Sequence, residues 1–401
     1  MGEPARDAQW RELAREHGPL LVVVVVYVLI GLAVQEHFGR LSMLSLVFSH
    51  GALNMVTVIC GLGFLLGHAI WLMPQVPPEE RALTWVGGVW RQRFVTPRRL
   101  LGFAIMLVAV PVFSSTWGGL KLLIPKVQPF CWDARFYALD KALHLGHDPW
   151  RLLQPVLGSV QGTLAVNAAY NAWFLLMLAV IAWQAGSAKR DVRFRFFMTF
   201  FLLWAFPGTV LATYFSSAGP CYYDAVVAGP SPYLEQMAFL HEVDRAHGLM
   251  AVTMQRVLWE VYTTDGVQVA SGISAMPSMH VSIATLLCLV GFARSRWIGC
   301  ALGLFALAIQ VGSVHLGWHY AIDGYAGALL AGGTWWAVGW GMRRWSWIPS
   351  DLPRGPVAKE PEPEAETEGE TETETETETE TETETETETE TETETDPGTS
   401  G

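Results

Sequence analysis

Apolar and polar positions alternate along this chain in long blocks. Apolar segments run at about 19–38, 48–73, 100–120, 164–185, 194–215, 277–293, 297–314 and 319–342. Most approach the roughly 20 residues that a helix needs to cross a bilayer. The pattern predicts an all-α polytopic membrane helix bundle with about eight transmembrane helices. Seven is the alternative, because 277–293 is short and only "ARSRW" separates it from 297–314. A polar stretch, 1–18, precedes the first apolar run and no small-residue cleavage site follows it, so that run reads as a helix and not a removed signal.

The far end of the chain behaves differently. A Thr-Glu repeat fills most of 343–401 and alternates with period two. Its glutamates would repel one another on one strand face, and it offers nothing apolar to bury. It is expected to be a disordered tail.

Charge changes the picture once the tail is set aside. The net charge of −12 comes from the tail, and residues 1–350 alone sum to about +6. An eight-span arrangement puts Arg6, Arg11, Arg15, Arg81, Arg91, Arg93, Arg98 and Arg99 on one side of the membrane. Lys189, Arg190, Arg193, Arg195, Arg294, Arg296, Arg343 and Arg344 fall on that side too. These are most of the body's basic residues, so this side and both termini read as cytoplasmic. The expected divisions are a cytoplasmic 1–18, two helices with an Arg-rich loop in 19–99, a six-helix catalytic domain at 100–342, and the tail.

Three polar segments then converge on the opposite face: "SSAGPCYYD" at 216–224, "AMPSMH" at 275–280 and "HLGWHYAID" at 315–323. His319 and Asp323 are four apart, which on a helix places them on one face. An aspartate that accepts from one imidazole nitrogen leaves the other nucleophilic, and ionisable groups in a membrane helix are costly enough to suggest function. The bland reading is a His–Asp pair that staples two helices. His280 follows Pro277 and Ser278 at a helix start, whose free N–H groups suit an anion. A nucleophilic histidine, an orienting aspartate, an acid histidine and an anion cradle together describe phosphoryl transfer through a phosphohistidine. His315, His319 and Asp323 could instead form a zinc-binding stripe. Ser278 as a protease nucleophile is a weaker reading, with no oxyanion-hole loop around it.

"AMPSMH" and "HYAIDGYAG" resemble the second and third signatures of the type 2 phosphatidic acid phosphatase superfamily, Pro-Ser-Gly-His and Ser-Arg-x5-His-x3-Asp. Met279 in place of glycine, the "HYAID" run, "CWDARFYALDKALHLGHDPW" and "SSAGPCYYD" are similar to one branch, the inositol phosphorylceramide synthases and their bacterial relatives. The resemblance spans about 100–342. It maps Lys121 onto the lysine of the first signature, Lys-x6-Arg-Pro, with Gln128 where the arginine would stand and Pro129 after it. Ser313 occupies the arginine position of the third. Two phosphate-clamping arginines are therefore absent while Lys121, His280, His319 and Asp323 remain.

Guanidinium forks suit a phosphate dianion. Their loss suits a phosphodiester of lower charge, unless Lys126, Arg135, Arg245, Arg256 or His315 restores it. The resemblance thus implies an integral membrane lipid phosphotransferase. His319 would be the nucleophile, Asp323 its orienting group and His280 the acid and base, while Lys121, Ser278, Gln128, Ser313 and His315 bind substrate. It implies membrane lipid substrates, no metal, no cofactor and no nucleic-acid partner. A lipid phosphate phosphatase is the first alternative and a non-catalytic membrane scaffold the second. Residue usage rich in Ala, Val, Gly and Arg points to a bacterial cytoplasmic membrane.

Smaller features have two readings each. Cys131 and Cys221, both on the outward face, could form a disulfide in an oxidising compartment, whereas Cys60, Cys288 and Cys300 read as packing residues. Residues 233–263 have the spacing of an amphipathic helix lying over the site or of a packed loop helix. Tyr170, Asn171 and Trp173 could touch a head group or belong to an interfacial aromatic belt.

Overall fold

The fold is known from a computed structural model that describes residues 3–39, most of 63–93, 97–264 and 272–345. Much of the expected second span, 48–73, with Cys60, and nearly all of the expected tail lie outside these residues. Among the described residues the regular elements are helical. They are α1 (Glu3–His37), α2 (Ala82–Arg93), α3 (Pro97–Val127), α4 (Asp133–Leu143), α5 (Pro149–Leu157) and α6 (Val160–Ala185). Then come α7 (Arg190–Tyr214), α8 (Leu234–His247), α9 (Met250–Thr263), α10 (Met279–Phe292), α11 (Arg296–His315) and α12 (Ala321–Trp345). Among the described residues five stretches, Leu13–His37, Leu100–Val127, Val160–Ala185, Arg190–Tyr214 and Arg296–His315, are long and apolar enough to cross a membrane.

Helix α10 explains the shortest apolar run. Ile283, Ala284, Leu286, Leu287 and Val290 are wholly buried, and α10 packs against α6, α7, α11 and α12. A helix enclosed on all sides has no polar face to show in its sequence. The turn after α10 returns the chain as α11, and at their crossing a Cβ on Gly291 would fall 3.1 Å from the Gly299 backbone. Glycine at that position lets the two backbones touch.

α1 begins well before the apolar run. Its polar first turns are held by Glu16, which pairs with Arg190 at 3.2 Å and Arg193 at 2.8 Å on α7. Further along, Gly31 lies against Thr116 and Leu120 of α3, Tyr27 stacks on Phe113, and its hydroxyl bonds Thr209 of α7 at 2.7 Å. Pro207 cannot donate a backbone N–H, and α7 widens into a π-type turn over Phe206–Leu211. The Gly208 carbonyl in that turn accepts from Trp117 Nε1 at 3.0 Å.

Two expectations need correction. The stretch 233–263 is not one helix: Gly248, at φ +70°, ends α8 and the chain restarts as α9. The 131–150 motif carries one short helix, α4, and ends at the start of a second, α5, neither of which the apolar pattern marked.

Candidate active site

The three polar segments meet where the sequence brought them together. After α7, the Ser217 carbonyl accepts from Ala275 N at 2.9 Å, and Cys221 N donates to the Gly317 carbonyl at 2.9 Å. Gly219 sits at φ +95°, where a Cβ would lie 2.6 Å from the Trp318 carbonyl. Both the backbone angle and the close approach demand glycine here.

His319 stands in the turn between α11 and α12, 6% exposed. The Ser313 carbonyl accepts from both Trp318 N and His319 N, at 3.0 and 3.1 Å. The His319 ring turns Nδ1 toward two acceptors, the Ala275 carbonyl at 2.8 Å and Asp323 Oδ2 at 3.3 Å. A carbonyl can only accept, so this network assigns the proton to Nδ1 and leaves the Nε2 lone pair free. Asp323 is fully buried. Its Oδ2 also accepts from Tyr320 N at 3.0 Å, an acidic side chain in the first helical turn reaching back over the helix start. Its backbone carbonyl accepts from Ser278 N at 3.0 Å, which ties the second signature to the third.

His280, in the first turn of α10, is held between aromatic rings. Tyr170 stacks on it at 4.7 Å and Trp173 lies at 4.3 Å. Trp173 Nε1 donates to the His280 carbonyl at 2.9 Å. The His280 and His319 rings meet edge-on, 6.3 Å between centroids and inclined by 61°. Lys121, on α3, reaches over the Trp117 ring at 5.3 Å. Lys121, His280 and His319 all line one cavity of about 730 Å³. Among the described residues that line it, Lys121 is the one Lys or Arg.

The remaining candidates lie elsewhere. Ser278 is buried and its Oγ caps α10, accepting from Val281 N at 3.5 Å. Ser313 is also fully buried, with its hydroxyl donating to the Gln310 carbonyl at 2.8 Å. Gln128, past the end of α3, donates to Cys131 Sγ at 3.3 Å. His315 ends α11 and turns Nε2 to Thr163 of α6 at 3.0 Å, away from His319. The chain leaves helical geometry between α11 and α12, so His315, His319 and Asp323 do not form one helical stripe. Lys126, Arg135, Arg245 and Arg256 do not line the cavity either. Arg135 stacks over Trp132 at 4.9 Å and Arg256 pairs with Asp244 at 3.2 Å. The Cys131 and Cys221 thiols are free.

The motif-by-motif reading missed Asp133 and Asp140. They sit seven apart on α4 and are almost wholly buried, at 1% and 2% exposure. Asp133 accepts from Ala218 N at 2.9 Å, Gly219 N at 2.8 Å and the Tyr320 hydroxyl at 2.8 Å. Asp140 accepts from Ala321 N at 3.0 Å and Ile322 N at 3.1 Å, the first free N–H groups of α12. Burial pushes both carboxyls above the usual carboxylate range, and these hydrogen bonds oppose it. Two aspartates at heptad spacing in a short helix that also carries Phe136, Tyr137, Leu139 and Leu143 were the available signal.

A family model described as the PAP2 superfamily matches residues 134–337. The chain belongs to the PAP2 superfamily. Comparison with curated proteins and with solved structures finds no match. Membership in the PAP2 superfamily points to a phosphatase- or phosphotransferase-type lipid enzyme. Asp140, His280, His319 and Asp323 fall inside the matched stretch. Lys121, Asp133 and α1 precede it, so part of the cavity wall comes from outside the PAP2 match.

Asp140→Asn should uncouple the start of α12 from α4. An amide offers one acceptor oxygen to two N–H groups and turns its own donor toward one of them. The expected cost is about 1–3 kcal/mol of stability. A lowered melting temperature in detergent, together with a fall in kcat from the displaced His319, would show it. An unchanged melting temperature would mean that water satisfies these groups instead.

Proposed function

We propose that this protein is a membrane lipid phosphotransferase that moves a phospho-head group from a phospholipid to a lipid alcohol through a phosphohistidine, in the manner of the inositol phosphorylceramide synthase-like branch. The observation that carries the reading is the His319 imidazole. Its Nδ1 is committed to Ala275 and Asp323, while the ring lines a cavity shared with His280 and a single lysine.

In the first step His319 Nε2 attacks the phosphorus of a phosphodiester, and the bond to the lipid oxygen breaks. Protonated His280 gives its proton to that oxygen, so a neutral lipid alcohol leaves. Asp323 and the Ala275 carbonyl stabilise the Nδ1–H of the charged imidazole ring. Lys121 offsets the charge on the phosphoryl oxygens. In the second step neutral His280 takes the proton of the acceptor hydroxyl. The acceptor oxygen attacks phosphorus, the N–P bond breaks, and both histidines return to their starting states. The scheme uses no metal.

One lysine without a guanidinium fork supports a monoanionic phosphodiester over a phosphomonoester dianion. The geometry also supports an extracytoplasmic site. His280 and His319 stand at one end of the bundle, while Arg190, Arg296 and Arg343 mark the opposite helix ends.

The test uses purified protein in mixed micelles containing a chelator and a head-group-labelled phosphatidylinositol. A lipid alcohol, ceramide or diacylglycerol, is present or absent, and products are followed by mass spectrometry. Label moving to the added alcohol supports the transferase. Free inorganic phosphate from phosphatidate, with no transfer, would replace it with the phosphatase reading. Inertness on every lipid phosphoester would remove both.

A further inference from the structure

The cavity is much deeper than a phosphoryl site requires. Three helices independently mark its extent. On α3 its lining runs from Lys121 to Val110, on α6 from Tyr170 to Ile181, and on α7 from Ala212 to Phe200. Each run spans eleven or twelve residue-to-residue steps, or roughly 16–18 Å at 1.5 Å per step. His280, His319 and Lys121 stand at one end, and the other end is apolar. There Phe113, Leu178, Ile181 and Phe200 are each at most 3% exposed, so packing closes the floor. The lining below the reaction centre includes Trp204, Met177 and Phe174 and, among the described residues, carries no ionisable side chain. Water gains little from such a space, and a hydrocarbon chain fits it.

We propose that this well holds one acyl chain of the lipid whose phosphorus His319 attacks, and that its floor at Val110, Ile181 and Phe200 sets the chain length the enzyme prefers. The inference rests on the phosphotransfer reading above and adds the shape of the donor. A zigzag chain of about 1.5 Å bonds advances roughly 1.25 Å per carbon, so the well matches a chain of about thirteen carbons. Val110, Ile181 and Phe200 stand eleven or twelve residues along their helices from Lys121, Tyr170 and Ala212 at the reaction end, so they can change length preference without touching the chemistry.

Ile181→Trp raises the floor. The ratio of kcat/KM for donors with chains longer than the well to donors with shorter ones should fall about tenfold or more, since single methylenes in a fitted pocket already discriminate by that order. Val110→Phe should do the same from the opposite wall, which covers the case in which Ile181→Trp does not fold. Phe200→Ala should move the ratio the other way. A donor analogue with a diazirine at the chain terminus, photolysed in the wild-type protein, should label peptides containing Val110, Ile181 or Phe200.

A folded Ile181→Trp or Val110→Phe protein with an unshifted donor ratio overturns the proposal. So does a shift seen only when the acceptor's chain length is varied, or a photolabel confined to outward-facing residues such as Val108 and Leu175. Labelling needs no turnover. If the wild type processes no lipid phosphoester yet the floor is labelled, the reaction reading fails and the chain site stands.

Discussion

His319→Gln is expected to remove the proposed phosphotransfer, by about 10³-fold or more, because it deletes the atom proposed to bond phosphorus. A direct reading is the covalent intermediate. Wild-type protein quenched during turnover of a head-group-labelled donor should carry label that survives base and is lost in acid, as a phosphoramidate is. His319→Gln should carry none. Asp323→Asn should be milder. The Ala275 carbonyl, at 2.8 Å, is closer to Nδ1 than Asp323 Oδ2 is at 3.3 Å, and it holds the same tautomer without help. What Asp323→Asn loses is the negative charge beside the developing imidazolium, a loss on the order of 10²-fold. Label on His319→Gln, or an Asp323→Asn defect as large as that of His319→Gln, would mean the roles are assigned wrongly.

Local pattern made much of this architecture legible. Apolar runs located α6, α7, α10, α11 and α12 to within a few residues, because a helix that must bury its backbone in an apolar environment writes that requirement into every position. The three segments around the site were recoverable from span parity, since helices that cross in alternation return their polar ends to one face. His319 and Asp323 were found by four-residue spacing, although the chain reaches that contact through a turn and a helix start instead of one continuous helix.

What escaped the sequence depends on contacts between distant positions. Asp133 and Asp140 bond backbone groups of the loop after α7 and the start of α12, far along the chain, and no local period encodes such partners. Ser278 looked like a phosphate donor because a hydroxyl before a helix can either cap it or reach a ligand. In the structure Ser278 is buried and its Oγ accepts from the Val281 N–H, the capping role. His315 looked like a site residue by proximity to His319 in sequence, but helical phase turns it to Thr163. Apart from Lys121, the part of the cavity wall built by α1 and α3 was invisible for a further reason: lining residues such as Val110 and Phe113 are what any apolar span contains.

His280→Gln should produce a defect that depends on the leaving group. With a lipid donor the departing alkoxide is a strong base, and without a proton from His280 turnover should fall about 10²–10⁴-fold. The glutamine side chain still fits between Tyr170 and Trp173, so the loss reports proton transfer more than packing. A nitrophenyl phosphodiester carries a leaving group that departs as a stable anion and needs no proton. On that donor the first step in His280→Gln should recover, but the second still lacks a base to deprotonate the acceptor. The expected trace is therefore a rapid burst of nitrophenolate, about one equivalent per active site, followed by a slow steady state with His319 trapped as the phosphoramidate. An equal loss on both donors with no burst would show that His280 positions the phosphoryl group and does not move a proton.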